Sequence, residues 1–355
     1  MNILENYGLK NIYIEEAKNY PKFRLARVIA QYKGLYKIIT ECNEKLAEIS
    51  GKFRYEATES IEFPAVGDYV MVSFNENDSK AIIHKILTRK TTFSRTAVGT
   101  SDQVQIIATN IDIVFICMSL NENYNLNRLE RYLSITWDSG AVPVVVLTKS
   151  DLSKDLLKCI QEVEEISAFS DIIITTFKED NIDKFKKYLK KDITTAFIGS
   201  SGVGKSTLIN EILGETRLET KSVSKGDKGK HTTTGREMFI SPFGGVIIDT
   251  PGMREIGIQS ADVSKYFLEM EDLVNQCKFN NCSHTDEPGC AVKKALINGF
   301  IDERRIENYF KLKRESLYEG LTSKELEQQK LNQMFKEVGG LKKARKFIKD
   351  RQKRK

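Results

Sequence analysis

The chain has 355 residues, of which 40% are hydrophobic and 29% charged, which gives room for two or three domains and excludes a disordered or fibrous protein. No apolar run approaches the about 18 residues of a membrane span, and residues 1–20 lack the apolar core of a secretory signal, so a reducing, cytoplasmic setting with no membrane is expected. The net charge of +6 is concentrated at one end: residues 341–355 hold nine Lys or Arg and one Asp, and the remainder, with 46 basic and 48 acidic side chains, balances to about −2.

The chain opens with short strands. Residues 24–30 and 36–40 flank a Lys33-Gly34 turn signal, Gly67-Asp68 leads into Tyr69-Val70-Met71-Val72, and residues 81–87 give one more strand. Strands at this spacing predict an OB-type β-barrel over residues 1–95. Such barrels often bind nucleic acid, but a barrel alone names no ligand.

From residue 96 to 258 strands and helices alternate. Residues 111–118 and 142–147 read as strands buried on both faces, and residues 172–175 and 193–198 as two more. Helices are expected at 126–137, where Leu126, Leu129, Leu133 and Trp137 share a face, and at 154–168, 182–189 and 205–213. The alternation predicts a doubly wound, mostly parallel α/β sheet.

Three loops of that region carry chemistry. Thr148-Lys149-Ser150-Asp151 follows the second buried strand. Asp151 is suited to accept from the N1 and N2 edge of guanine, which adenine cannot supply, and a carboxylate left unpaired penalises the wrong base. Thr148 stands where Asn is commoner and offers fewer contacts; Thr175-Thr176 loosely fit the loop that backs the base.

Gly199-Ser200-Ser201-Gly202-Val203-Gly204-Lys205-Ser206 matches G-x-x-x-x-G-K-[ST] in full, with Thr207 behind it. The glycines let backbone N–H groups turn inward onto an anion, Lys205 places a cation between outer phosphates, and the Ser206 hydroxyl suits Mg²⁺.

Residues 222–234 then supply a Gly- and Lys-rich stretch ending His231-Thr232-Thr233-Thr234, and Asp249-Thr250-Pro251-Gly252 closes an apolar strand. Thr233 has the position of a switch threonine on Mg²⁺, with Thr232 and Thr234 as alternatives. Asp249 suits the Mg²⁺ hydration shell and the Gly252 N–H a γ-phosphate. Met253 occupies the place where many GTPases carry a water-orienting Gln, which a thioether cannot replace. Hydrolysis should therefore be slow until another group or a partner completes the site, and His231 is the nearest competent side chain, unless it is only a polar loop residue.

The order of these motifs is unusual. The base loop precedes the phosphate loop, whereas ordinary GTPases run phosphate loop, switches, base loop. A sheet that gathers all its loops at one edge tolerates such a permutation, because chain order can change while positions in space do not.

Residues 259–355 read as helical and polar, with helical stretches in 324–355 broken at Gly339-Gly340. Cys277, Cys282, His284 and Cys290 form C-x4-C-x-H-x5-C, a closed tetrahedral Cys₃His set that argues for one structural Zn²⁺. Lys278, Lys293 and Lys294 beside it suit a polyanion; Cys42, Cys117 and Cys159 are scattered thiols.

Together the permuted order (TKSD, GSSGVGKST, HTTT, DTPG) and the segment CKFNNCSHTDEPGC resemble the RsgA family of ribosome small-subunit-dependent GTPases over nearly the whole chain. The resemblance implies a multidomain protein: an OB-type barrel, a circularly permuted P-loop GTPase domain and a C-terminal zinc-binding domain. It implies GTP hydrolysis stimulated by the small ribosomal subunit late in its maturation; the rRNA of that subunit as a partner, Mg²⁺ with GTP and a monomeric state are expected beside it. Met253 and His231 fit the family's proposed mechanism; Thr148 and the basic tail depart from its pattern. Two other readings compete: an RNA-binding checkpoint in which GTP is a binding switch with little turnover, and a signalling GTPase with a protein partner.

Overall fold

Five strands close a barrel: β1 (Arg24–Gln31), β2 (Tyr36–Ile39), β3 (Glu44–Ile49), β4 (Tyr69–Ser73) and β5 (Lys80–Ile86). They run in the order β1-β2-β3-β5-β4, and a further β1–β4 pairing seals the ring, with β3 and β5 the one parallel pair. Ala26, Val28, Ile38, Ala47, Val70, Val72, Ala81 and Ile83 fill its interior. Strand β3 was not expected. Glu44, Lys45 and Glu48 give it the look of a solvated loop, and cross-strand pairs with Lys37 and Lys80 on the outer face hold it in place.

The structure is a computed structural model that describes residues 2–75, 78–96, 104–167, 170–177, 180–216, 218, 236–249, 262–284 and 287–316. His231, Thr232, Thr233, Thr234, Gly252, Met253, the expected helical stretches in 324–355 and the basic tail lie outside the described residues.

Short helices α1 (Ile3–Asn6) and α2 (Asn11–Ala17) precede the barrel, and Tyr13 of α2 stacks on Tyr69 with ring centroids 3.9 Å apart. A short helix α3 (Gly51–Glu56) lies between β3 and β4 and packs on β5, and β6 (Thr92–Thr96) pairs antiparallel with β7 (Val104–Thr109) as a separate two-stranded sheet.

That sheet contains β8 (Ile113–Ser119), β9 (Val142–Thr148), β10 (Asp171–Ile174), β11 (Thr194–Ile198), β12 (Arg236–Ile240) and β13 (Val246–Asp249). Its order is β10-β9-β8-β11-β13-β12; the first five strands are parallel and β12 is antiparallel to β13. Parallel strands put the ends of β9, β10, β11 and β13 at one edge of the sheet, which is where the expected motif loops begin. β12 also pairs with β1 through Ala30–Glu237 and Gln31–Arg236, so barrel and sheet share one hydrogen-bonded array.

Helices α4 (Leu126–Ser139), α5 (Leu156–Ile166), α6 (Ile182–Lys186) and α7 (Lys205–Leu213) flank the sheet. Asn125 caps α4 by accepting from the Arg128 N–H, and Gly140 ends it at φ 86°, a conformation that favours glycine. A single apolar face was expected here, yet Glu130, Ser134 and Thr136 are as buried as Leu129 and Leu133. The reason is tertiary: the C-terminal helices α8 (Leu268–Asn275), α9 (Ala291–Ile297) and α10 (Glu303–Ser316) form a module that packs over the side of α4 turned away from the sheet.

Candidate nucleotide site and metal cluster

The phosphate loop leaves β11 at Gly199, whose φ of 141° and position both require glycine. A Cβ there would stand 2.3 Å from the Cys117 carbonyl oxygen on β8. The Cys117 thiol beneath is buried, which pushes its pKa up to about 12 despite the nearby Lys205 cation, so it stays neutral. The loop runs through exposed Ser201 and Gly202 and buried Val203 to Gly204 (φ 100°), and α7 begins at Lys205. Ser206 and Thr207 lie half-buried in its first turn. Lys205 bends back so that Nζ donates to the Gly199 and Ser200 carbonyls at 2.6 and 2.7 Å, which sets its ammonium inside the loop.

The base loop is stitched to the phosphate loop. Thr148, at the end of β9 and buried, donates from Oγ1 to the Val203 carbonyl at 2.6 Å. Lys149 adopts a left-handed φ of 56° and its Nζ donates to the Gly202 carbonyl at 2.7 Å. Exposed Asp151 follows, its Oδ1 accepting from the Thr176 hydroxyl at 3.1 Å, while the Ser150 N–H donates to the Thr175 carbonyl. The structure therefore brings Thr148, Lys149, Ser150, Asp151, Gly199, Ser200, Gly202, Val203, Gly204 and Lys205 to one sheet edge. Asp249 ends β13, beside the strand that feeds the loop, and is half-buried.

Several contributors carried no sequence signal. Asn181 is buried, donates from Nδ2 to the Thr176 carbonyl at 2.8 Å and from its N–H to Glu211 of α7 at 2.9 Å, tying the loop behind the base to the helix leaving the phosphate loop. Phe177 is 55% exposed, with its ring edge 3.4 Å from where a Cβ on Gly204 would stand. Arg128 of α4 donates from Nη1 to the Ser200 hydroxyl at 3.0 Å. None of these belongs to a motif, and Asn181 and Arg128 meet Glu211 and Ser200 across 30 and 72 residues of sequence.

The Cys/His cluster lies between α8 and α9. One ligand atom from each of Cys277, Cys282, His284 and Cys290 falls within 4.8 Å of the others. His284 Nδ1 is 3.5 Å from Cys277 Sγ and 3.7 Å from Cys290 Sγ. Metal bonds of about 2.3 Å to sulfur and 2.0 Å to nitrogen give a tetrahedral S···N edge of about 3.5 Å, so the donor set fits a single ion. Cys290 caps α9, its sulfur accepting from the Lys293 N–H at 3.3 Å.

The four donors sit in unequal electrostatic surroundings. Burial, with Lys313 adding to it, holds the His284 pKa below its ordinary value against the opposing pull of Glu287, so the imidazole is neutral at pH 7. At Cys277 burial acts upward, but the Ala291 and Val292 N–H groups and the thiols of Cys290 and Cys282 outweigh it and the pKa falls. Cys282 is pushed up to about 11, by desolvation first and then by Cys290 and Cys277. The two thiols are thus shifted in opposite directions by their shared surroundings.

Residues 86–259 match the RsgA GTPase family. The chain is 47% identical over 329 residues to "Small ribosomal subunit biogenesis GTPase RsgA 2" of Lactiplantibacillus plantarum, covering 92% of each chain. It is 42% identical to the protein of the same name from Listeria monocytogenes serotype 4b, covering 89% of this chain and 90% of that one. Among solved structures it is similar to YjeQ from Thermotoga maritima, with a TM-score of 0.61 and 30% identity over 83% of this chain and 98% of that one. It is also similar to YloQ, described as a circularly permuted GTPase, with a TM-score of 0.58 and 25% identity over 83% and 95%.

Proposed function

The chain belongs to the RsgA GTPase family, and from that membership and the geometry of the loops we propose that it hydrolyses GTP in the service of small-subunit maturation. The observation that carries the reading is the bonding of Thr148 and Lys149 to Val203 and Gly202, which joins a guanine-reading loop to a phosphate loop although the chain presents them in reversed order. Asp151 reads the guanine edge, and Gly199, Ser200, Ser201, Gly202, Val203, Gly204 and Thr207 frame the phosphates. Lys205 turns from the Gly199 and Ser200 carbonyls to the β- and γ-phosphates. Mg²⁺, when bound, would draw charge from the phosphates, with Ser206, Thr233 and Asp249 as the residues that hold it or its water shell. His231 orients the attacking water in place of the Gln that Met253 replaces, and Gly252 meets the γ-phosphate.

The division we propose is a barrel over 1–95, a permuted GTPase domain over 96–258, and a zinc module with basic tail over 259–355. Cys277, Cys282, His284 and Cys290 hold one structural Zn²⁺. The partners are the small ribosomal subunit and its rRNA, met in the cytoplasm by a monomer. Met253 favours a second reading, a checkpoint that binds GTP and turns it over little without its partner.

Asp151→Asn tests the nucleotide assignment. Its amide can donate to the extra carbonyl of xanthine, so fluorescent GDP binding should be lost and fluorescent XDP binding gained. A variant that keeps the guanine preference would overturn the role of Asp151.

A further inference from the structure

Helix α4 touches the phosphate loop on one side and the C-terminal module on the other. Arg128, in its first turn, holds the Ser200 hydroxyl at 3.0 Å. Two residues on, Glu130 is fully buried and points the other way, since a helix turns about 200° over two residues. Its carboxylate accepts from Arg304 Nη1 at 3.0 Å, from Arg305 Nη1 at 2.8 Å and from the Asn308 amide, all on α10. Arg131 pairs with Glu315 at 2.8 Å, and at the far end Asp138 pairs with Lys265 at 2.7 Å. The Arg305 guanidinium lies over the rings of Tyr266 and Phe267, at 5.5 and 5.0 Å, so it is fixed from both sides.

A buried carboxylate shared by two guanidiniums is tolerated only while its partners stay in place, because a lost partner leaves an uncompensated buried charge. α10 therefore cannot shift against α4 without moving the helix or breaking the pairing. A shift of α4 changes the reach of Arg128 to the loop.

We propose that α4 links the phosphate loop to the Cys/His module, with Arg128 as the positioning residue that couples Ser200 to the Glu130–Arg304–Arg305 cluster. This rests on the reading of residues 199–206 as the nucleotide loop. It is a connection separate from the chain segment that follows Asp249. Coupling of this kind is reciprocal: nucleotide state biases α10, and whatever displaces α10 biases nucleotide preference.

The test is amide hydrogen exchange on the full metal-loaded chain, saturated with GDP or with a non-hydrolysable GTP analogue. Peptides covering residues 303–316 should exchange at different rates in the two states. The difference should vanish in Arg128→Met and in Ser200→Ala, and return in part in Arg128→Lys, which keeps a donor. Glu130→Gln should change the ratio of GTP-analogue to GDP affinity at unchanged metal content. Nucleotide bound with no response in α10, or a response unchanged in both Arg128→Met and Ser200→Ala, overturns the coupling alone. A wild-type chain that binds neither nucleotide overturns the nucleotide reading and this inference with it.

Discussion

The Thr148 hydroxyl donates to the Val203 carbonyl at 2.6 Å, so the loop after β9 is tied to the glycine loop after β11. The bond is buried at both ends, with Thr148 2% and Val203 1% exposed. Thr148→Val keeps the shape and removes the donor, leaving a buried carbonyl unpaired at a cost of about 1–3 kcal/mol. If the loop bears that cost, GDP affinity falls about tenfold, the equivalent of about 1.4 kcal/mol. Titration with fluorescent GDP checks it, and an unchanged Kd would mean that the two loops hold their positions independently.

Arg27 is a buried cation whose hydrogen bonds run to neutral groups. It is 1% exposed, donates to the carbonyls of Tyr7, Gly67 and Asn110 and to the Thr194 hydroxyl, and lies over the Tyr69 ring at 4.7 Å. These partners lie at the end of α1, at the entry to β4 of the barrel, in the link from β7 to β8, and on β11. Arg27→Met orphans several acceptors at about 1–3 kcal/mol each, so a loss of about 3 kcal/mol in denaturant unfolding is expected. A loss below about 1 kcal/mol would show that the barrel is held by β1–β12 pairing and apolar contact instead.

Elemental analysis of protein purified without chelator should find one Zn²⁺ per chain, absent from Cys282→Ala, with faster proteolysis near residues 277–290. The metal-free protein has a pH signature. The lowered His284 pKa means that the folded state holds fewer protons than the unfolded state as pH falls below about 6.5, so metal-free stability declines through that window. Absence of metal from the wild-type chain would remove the zinc assignment.

Much of this architecture was legible in the sequence where chemistry constrains residue type. Helix α7 spans the expected 205–213 because the glycine loop leaves nowhere else for it to begin, and the spacing of Cys277, Cys282, His284 and Cys290 marked a cluster that the fold assembles. The features without a local signature depend on distant partners. β3 is masked by its charges, the second buried face of α4 is covered by the C-terminal module, and Arg128 is one basic residue among many until Ser200 is beside it. The pairing of β1 with β12 links segments some 200 residues apart, which no local pattern encodes.

Deleting residues 341–355 removes nine basic side chains and one acidic. If the tail meets rRNA phosphates, the truncated chain binds the small subunit more weakly and with a shallower dependence on salt. Equal salt slopes for the two proteins would reject that contact.

Subunit-stimulated GTP hydrolysis is checked by steady-state turnover of GTP and ATP with and without purified small ribosomal subunits. Such an activity requires slow GTP turnover alone, strong stimulation by the subunits, no ATP turnover in either case, and loss of the stimulated rate in Lys205→Ala. GTP turnover that is unchanged by the subunits, or ATP turnover at a comparable rate, would contradict it.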